Sequence, residues 1–199
     1  ALAVTIDTTD PAAPGTPDLD AASDTGSADD DDITSNTTPT LAGTAEANST
    51  VELLSAGSVL GTATADSSGN WSITSTVLTE GDHSLTARQT DQYSNGPGPE
   101  SAAITISVDT TAPTVPSSLD MFATSDTGSS SSDNNTQVTT PTLMALADPA
   151  SAITLSSSLD GVVGTASANG SSIWLITSTA LSEGDHDLTA TATDVAGNE

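Results

Sequence analysis

Carboxylates are the only side chains in this sequence numerous enough to do chemistry. There are 27 acidic residues against one basic residue, Arg88, with no lysine and no cysteine. Eight acidic positions recur along the chain. Asp7 pairs with Asp109, Asp18 with Asp120, Asp24 with Asp126 and Asp31 with Asp133. Glu46 pairs with Asp148, Glu80 with Glu183, Asp82 with Asp185 and Asp91 with Asp194, and Asn95 returns as Asn198. Asp29, Asp30, Glu52 and Asp160 have no counterpart. Hard oxygen donors without thiolates and with only two histidines suit Ca²⁺, which takes roughly 6–8 oxygens in flexible geometry.

Other chemistries fit less well. His83 and His186 each follow an aspartate in a Gly-Asp-His sequence, the kind of neighbourhood that invites a hydrolase reading. A serine triad needs a buried, oriented imidazole and an oxyanion hole, and an exposed strand start is expected to offer neither. A histidine zinc site needs converging ligands, whereas these two histidines lie a full repeat apart. The chain is therefore read as non-enzymatic. Asn48 and Asn70 head Asn-x-Ser/Thr triplets, but in a Ser- and Thr-rich chain these arise by chance, and Asn70 is better placed to serve a turn before Trp71. Four aromatic residues are too few for a sugar-stacking platform.

The formal charge of −26 excludes a nucleic-acid backbone or an anionic membrane surface as an electrostatic partner. No apolar run approaches the roughly 18–20 residues of a membrane span, and Ala1–Ile6 lacks the basic flank of a signal peptide. Any secretion signal is expected outside this sequence. The absence of cysteine is compatible with an extracellular protein that does without disulfides.

The elements that must position the acids come from one unit written twice, at a spacing of 102 to 103 residues. SDTGS begins at Ser23 and Ser125, TTPTL at Thr37 and Thr139, EGDH at Glu80 and Glu183. IDTTDP from Ile6 returns as VDTTAP from Val108. Apolar residues alternate in short runs: Val51 and Leu53, Trp71 and Ile73, Leu85 and Ala87, then Ile104, Ile106 and Val108. Turn residues punctuate them every 8–12 residues or so, the rhythm of a β-sandwich. The fold class is all-β: two tandem immunoglobulin-like sandwiches of about seven strands, with Trp71 and Trp174 in the cores. The boundaries read as residues 1–7 (the last strand of a preceding repeat), 8–109, and 110–199 (a repeat lacking its own last strand). That phase predicts a longer array and an exposed edge on the second repeat, to which Ala1–Ile6 of another molecule could add head to tail.

On an up-and-down run of strands, the loop from Asp24 to Asp32, the Glu80–Asp82 connection and Asp109 fall at one end of a repeat. Glu46, Asp91 and Asn95 fall at the other. Asp148, Asp194 and Asn198 of the second repeat are then expected to face the acidic end of the first. So many carboxylates repel unless something neutralises them. Either calcium binds at this junction or the loops are simply solvated. No EF-hand spacing and no GGxGxD repeat is present.

The texts PDLDAASDTG, TTPTLAGTA, GNWSITS, EGDHSLTA and VDTTAP together resemble the bacterial Ig-like repeats of giant secreted adhesins, over nearly the whole chain. The resemblance implies a stalk on the bacterial cell surface whose interdomain joints are stiffened by Ca²⁺. Carried over by position, it implies Asp24, Asp31 and Asp109 as ligands, with Asp148 and Asp194 from the next repeat. Asp7, Asp91, Asp126 and Asp133 are the corresponding positions in the other copy. Ser131 stands where Asp29 would be, which weakens the matching site of the second repeat. Partners are then neighbouring repeats of the same chain. A ligand-binding adhesin module that grips a glycan or protein is the other reading; the near-repetition of the loops favours the spacer, while Tyr93, without an aromatic counterpart, favours the binder.

Overall fold

A computed structural model describes residues 1–199, and every regular element in it is a β-strand. The chain divides into two compact units, Ala1–Thr110 and Thr111–Glu199.

Unit 1 opens with an extended segment in which Pro11, Pro14 and Pro17 are buried at every third residue, a polyproline-like spacing. Gly15 N–H donates to the Thr44 carbonyl (2.8 Å) and Ala12 N–H to Glu46 Oε1 (3.3 Å). Eight strands follow: β1 (Asp18–Leu19), β2 (Ile33–Thr34), β3 (Thr40–Thr44), β4 (Thr50–Ser55), β5 (Ser58–Thr64), β6 (Asn70–Thr74), β7 (Gly81–Thr90) and β8 (Ile104–Val108). One sheet has the order β1-β3-β6, the other β2-β8-β7-β4-β5. Every pairing is antiparallel except β2 with β8. The chain thus switches sheets between β1 and β2, and the thirteen-residue crossing, 20–32, carries the densest run of acids.

Period-two alternation explains the core. Leu41, Val51, Leu53, Leu85, Ala87 and Ile106 are fully buried between the sheets, with Trp71 and Ile73 packed against them. Each such side chain contributes about 1.5–3 kcal/mol when buried. Gly43 lies flat under the Trp71 ring, and a Cβ there would meet Cζ2 at 2.5 Å. Gly61, beside the bulge at Leu53/Leu54, faces Ile73 Cγ2 at the same distance.

Unit 2 repeats this plan in six strands: β9 (Ser117–Met121), β10 (Thr142–Leu146), β11 (Ala152–Ser157), β12 (Gly161–Ser167), β13 (Ile173–Thr177) and β14 (Leu188–Thr193). Its sheets run β13-β10-β9 and β12-β11-β14, around a core with Trp174, Ile153, Leu155 and Val163. No strand among residues 111–199 corresponds to β8. Residues 135–136, the counterparts of β2, are accordingly not a strand. β14 is also shorter than β7, because residues 184–187 correspond to the stretch of β7 that pairs with β8. Strand counts of eight and six, rather than about seven each, follow from the sheet switch in unit 1 and from this open edge in unit 2.

Residues 1–17 contain no strand, and Leu2, Val4 and Ile6 are 90%, 72% and 84% exposed. The alternation predicts a strand, but a strand forms only against a partner, and unit 1 has already filled the corresponding position with β8.

Candidate functional site: an acid-lined end built by the β1–β2 crossing

The Ser-Asp-Thr sequence at Ser23 pins the crossing loop. Ser23 Oγ accepts from Thr40 N–H (3.0 Å), Asp24 Oδ2 from Asp32 N–H (3.2 Å), and Thr25 Oγ1 from Ser35 N–H (2.7 Å). The fully buried Thr34 hydroxyl donates back to the Ser23 carbonyl. Three successive side chains therefore hold three separate points of the chain. The same bonds recur from Ser125, Asp126 and Thr127 in unit 2.

Asp24 is 7% exposed and uses one oxygen for the loop; its Oδ1 is buried with no hydrogen-bond partner. A buried ionised oxygen left unpaired is costly. Asp24 borders a concavity of about 330 Å³ that Asp18, Asp20, Asp29, Asp30 and Asp32 also line. Burial pushes the Asp24 carboxyl above its usual range; the Asp32 N–H opposes this, and the charges of Asp31 and Asp32 add to the rise. Asp32 is raised too, by burial first and then by Asp18 and Asp31. Asp31 itself accepts Ile33 N–H. The Asp109 N–H donates to the Thr34 carbonyl where β8 leaves the sheet (2.9 Å), which puts Asp109 at this same end of unit 1. Glu80 Oε2 accepts both the N–H and the hydroxyl of Thr110 there.

No three Asp, Glu or His side chains form a finished cation cage by themselves. The donors nonetheless fit Ca²⁺ in kind: all are hard oxygens, one is buried and unpartnered, and the surrounding charge is purely negative. In unit 2, Asp126 Oδ1 is likewise buried and unpartnered, and Asp133 Oδ1 accepts Asn135 N–H. Its loop, however, has Ser131, Ser132 and Asn134 where unit 1 has Asp29, Asp30 and Asp32.

At the opposite end of each unit, the acids are committed to turns. Asp91 Oδ1 accepts the N–H groups of Tyr93 and Asn95, and Oδ2 accepts Asn95 Nδ2 (2.8 Å). Partial burial works to raise the Asp91 carboxyl, but the Asn95 and neighbouring hydrogen bonds outweigh it and hold it below the usual range. Asp194 and Asn198 make the same clasp in unit 2, and Asp66 with Asn70 makes it between β5 and β6. Asp148 Oδ2 accepts Thr114 N–H (2.7 Å), as Glu46 does Ala12 N–H in unit 1. Asp7 is exposed and accepts Thr9 N–H.

The histidines are structural pins. His186 is mostly buried, not at an exposed strand start as expected, because Ser157 and Asp160 close over its ring. Ser157 Oγ (2.8 Å) and Asp160 Oδ2 (3.5 Å) both approach Nδ1, while Nε2 bonds the Ser182 carbonyl (2.9 Å). A relay needs hydroxyl and carboxylate on opposite ring nitrogens, so this trio cannot pass a proton from serine to aspartate. His83 Nε2 likewise bonds the Thr79 carbonyl. The one arginine is held by Glu52, its cross-strand neighbour (2.6 Å).

With this geometry in hand, comparison with known families gives a match to the bacterial Ig-like domain over residues 10–110 and again over 112–199. The chain belongs to that family. Among curated proteins none matches. Among solved structures, the tandem bacterial Ig-like units are similar to the BSP domain of a biofilm-associated protein, at 20% identity and TM-score 0.30, over 81% of this chain and 26% of that one. They are also similar to the D0-D1 domain of intimin, at 16% identity and TM-score 0.30, over 91% of each chain.

Of the residues singled out from the sequence, the bacterial Ig-like unit 1 brings Asp24, Asp31 and Asp109 to one end. Unit 2 brings Asp126 and Asp133 together at the corresponding end, and Asp148 and Asp194 to the other. Sequence reasoning did not choose Asp18, Asp20, Asp29, Asp30 or Asp32 as ligands, although all five line the concavity with Asp24. Asp18 recurs in sequence as Asp120, and that was the available signal; Asp32 recurs only as Asn134 and gave none.

Proposed function

We propose that this chain is a spacer segment of an extracellular bacterial adhesin, in which Ca²⁺ held at the acid-lined end of a unit stiffens its joint with the next. The observation that carries the reading is the unpartnered, buried Asp24 Oδ1 at the edge of a concavity lined by further carboxylates. A cation is the one ligand that relieves both the orphaned oxygen and the mutual repulsion. Asp24 would hold it with Asp18, Asp29, Asp30 or Asp32 from the crossing loop, and water would complete a shell of roughly 6–8 oxygens. In the full joint, Asp31 and Asp109 would contribute from the same end, with Asp148 and Asp194 from the following unit. Both of the latter already accept hydrogen bonds, but a carboxylate has about four lone-pair sites, so coordination does not require those bonds to break.

Two units of one plan, each with a tryptophan core and the same Ser-Asp-Thr hydrogen bonds pinning its loop, support a spacer, since a recognition site would set one copy apart. The prolines of the connecting segment limit a hinge but do not abolish it; an ion shared across the joint would.

Titration calorimetry of the intact chain tests the binding step. Ca²⁺ should bind with a Kd of about 10⁻⁴ to 10⁻³ M, the range of extracellular calcium modules, and Asp24→Asn should weaken it about tenfold or more. An absence of binding heat, or an affinity that Asp24→Asn leaves unchanged, would overturn the assignment.

A further inference from the structure

The sequence holds two Asn-Gly pairs, Asn95–Gly96 and Asn169–Gly170. In such a pair the main-chain nitrogen of glycine, uncrowded by a side chain, can attack the carbonyl carbon of the asparagine side chain. The two pairs meet opposite surroundings. Asn169 and Gly170 are exposed in the turn between β12 and β13. Asn169 Oδ1 accepts the Ser171 N–H (2.9 Å) and the Ile173 N–H (3.1 Å), so two donors already aim at the oxygen on which such an attack builds negative charge. The backbone bonds of the turn run from Asn169 N–H to the Ile173 carbonyl and from Ser172 N–H to the Asn169 carbonyl, and the Gly170 N–H takes no part in them. Ile173, standing where unit 1 has Asn70, offers Asn169 Nδ2 no polar partner across the turn. Asn95 is the reverse case. Its Nδ2 donates to Asp91 Oδ2 (2.8 Å) and its N–H to Asp91 Oδ1 (2.7 Å). Gly96 is packed so closely that a Cβ there would meet Gly98 N at 2.9 Å and Pro11 Cδ at 3.3 Å.

We propose that Asn169 is a site of spontaneous deamidation, a covalent modification that gives this turn of unit 2 the aspartate that unit 1 already has there. The Gly170 nitrogen gives its proton to solvent and bonds to Asn169 Cγ; the Cγ–Nδ2 bond breaks, ammonia leaves and a succinimide ring closes. Water then opens the ring at one of its carbonyls, leaving aspartate or isoaspartate. The corresponding residue of unit 1 is Asp66, whose Oδ1 accepts the N–H groups of Asn70 (2.9 Å) and Ser68 (2.8 Å). Those bonds, Asn70 first, hold its carboxyl below the usual range. In unit 2 the aspartate product keeps both acceptor bonds and makes them charge-assisted. The same conversion at Asn95 would set a second carboxylate beside Asp91 and remove the donor that closes the clasp. Asn95 is therefore the protected member of the two, and Asn169 the one whose conversion adds a negative charge to the surface without breaking a bond of the fold.

Peptide mapping by mass spectrometry, after incubation of the folded chain at mildly alkaline pH, tests this directly. Asn169 should convert to aspartate and isoaspartate about tenfold or more faster than Asn95. In urea, where both pairs are freed from their turns, the two rates should converge. Gly170→Ala should slow the conversion without lowering the melting temperature, since a Cβ at that position meets nothing within 4 Å. Asn169→Asp should keep the melting temperature or raise it, whereas Asn95→Asp should lower it. Conversion of Asn95 as fast as Asn169 in the folded chain, an Asn169 that stays intact, or a loss of stability in Asn169→Asp overturns the proposal.

Discussion

Asp24 divides its two oxygens between two tasks: Oδ2 fastens the crossing loop and Oδ1 is left buried without a partner. Asparagine can keep the first bond while removing the charge. Without calcium, Asp24→Asn is therefore expected to raise the melting temperature by about 2–5 °C, because it relieves a buried charge beside Asp31 and Asp32. With calcium in excess the order should reverse, since the unsubstituted chain binds the ion more tightly and gains more from it. Differential scanning calorimetry in both conditions separates this from a purely structural aspartate, whose loss would destabilise equally in each. The pH dependence follows from the same residues. Asp24 and Asp32 are raised, so the folded state binds more protons than the unfolded chain once pH falls into the window between their ordinary and raised values; calcium-free stability should increase as pH drops from neutral into it. Asp66 and Asp91 are held low by their turn hydrogen bonds, and Asp160 by the Ser182 N–H and His186. Their contribution is present above the ordinary value and lost as pH falls through the lowered ones. A melting-temperature profile with its maximum on the acid side of neutrality is the expected outcome; a maximum at or above neutral pH would contradict the assignment of Asp24 and Asp32. At this scale the sequence was least informative. The recurrence of Ser-Asp-Thr marked the loop, but its bonds reach Asp32, Ser35 and Thr40, which are 8 to 17 residues away. Polar atoms satisfied across such distances leave no periodicity to read. The Asp-to-Asn clasps do have a fixed i to i+4 spacing, and Asp66–Asn70 could have been found from it.

At the scale of strands, alternation was sufficient: Val51, Leu53, Trp71, Ile73, Leu85 and Ile106 are all core residues in the elements their spacing implies. Two features of the strands escaped it. One is the division of the first strand into β1 and β2, too short to alternate and defined only by the sheets they join. The other is the loss of strand structure in residues 1–6 and 184–187, where the pattern is right and the partner is absent. The recurrence of Gly61 and Gly164 is explained by close approach, because each faces the Cγ2 of the isoleucine on the opposite sheet, Ile73 and Ile176. Replacing either with alanine should cost about 1–3 kcal/mol through overpacking, measured by urea denaturation. At Gly43 the copies differ: unit 2 places Ala145 opposite Trp174, so Gly43→Ala, which needs only a side-chain ring to give way, should be tolerated better than Gly61→Ala. Ile106→Ala, in the centre of β8, should destabilise unit 1 by about 2–5 kcal/mol and leave the protection of unit 2 amides unchanged.

At the scale of the whole chain, the two units share a plan: each buries a tryptophan between two sheets and pins its crossing loop with the same Ser-Asp-Thr hydrogen bonds. The charge of −26 acts on both units, and the proposed ligand is accordingly a cation. The central claim is that this cation turns a jointed chain into a stiff one. Small-angle X-ray scattering in calcium and after chelation measures that most directly. The account predicts the profile of one extended two-domain rod in calcium, and a broadened distribution of dimensions once the ion is removed. A profile that does not respond would contradict it, leaving the prolines and packing to set the joint and the carboxylates as solvated loops.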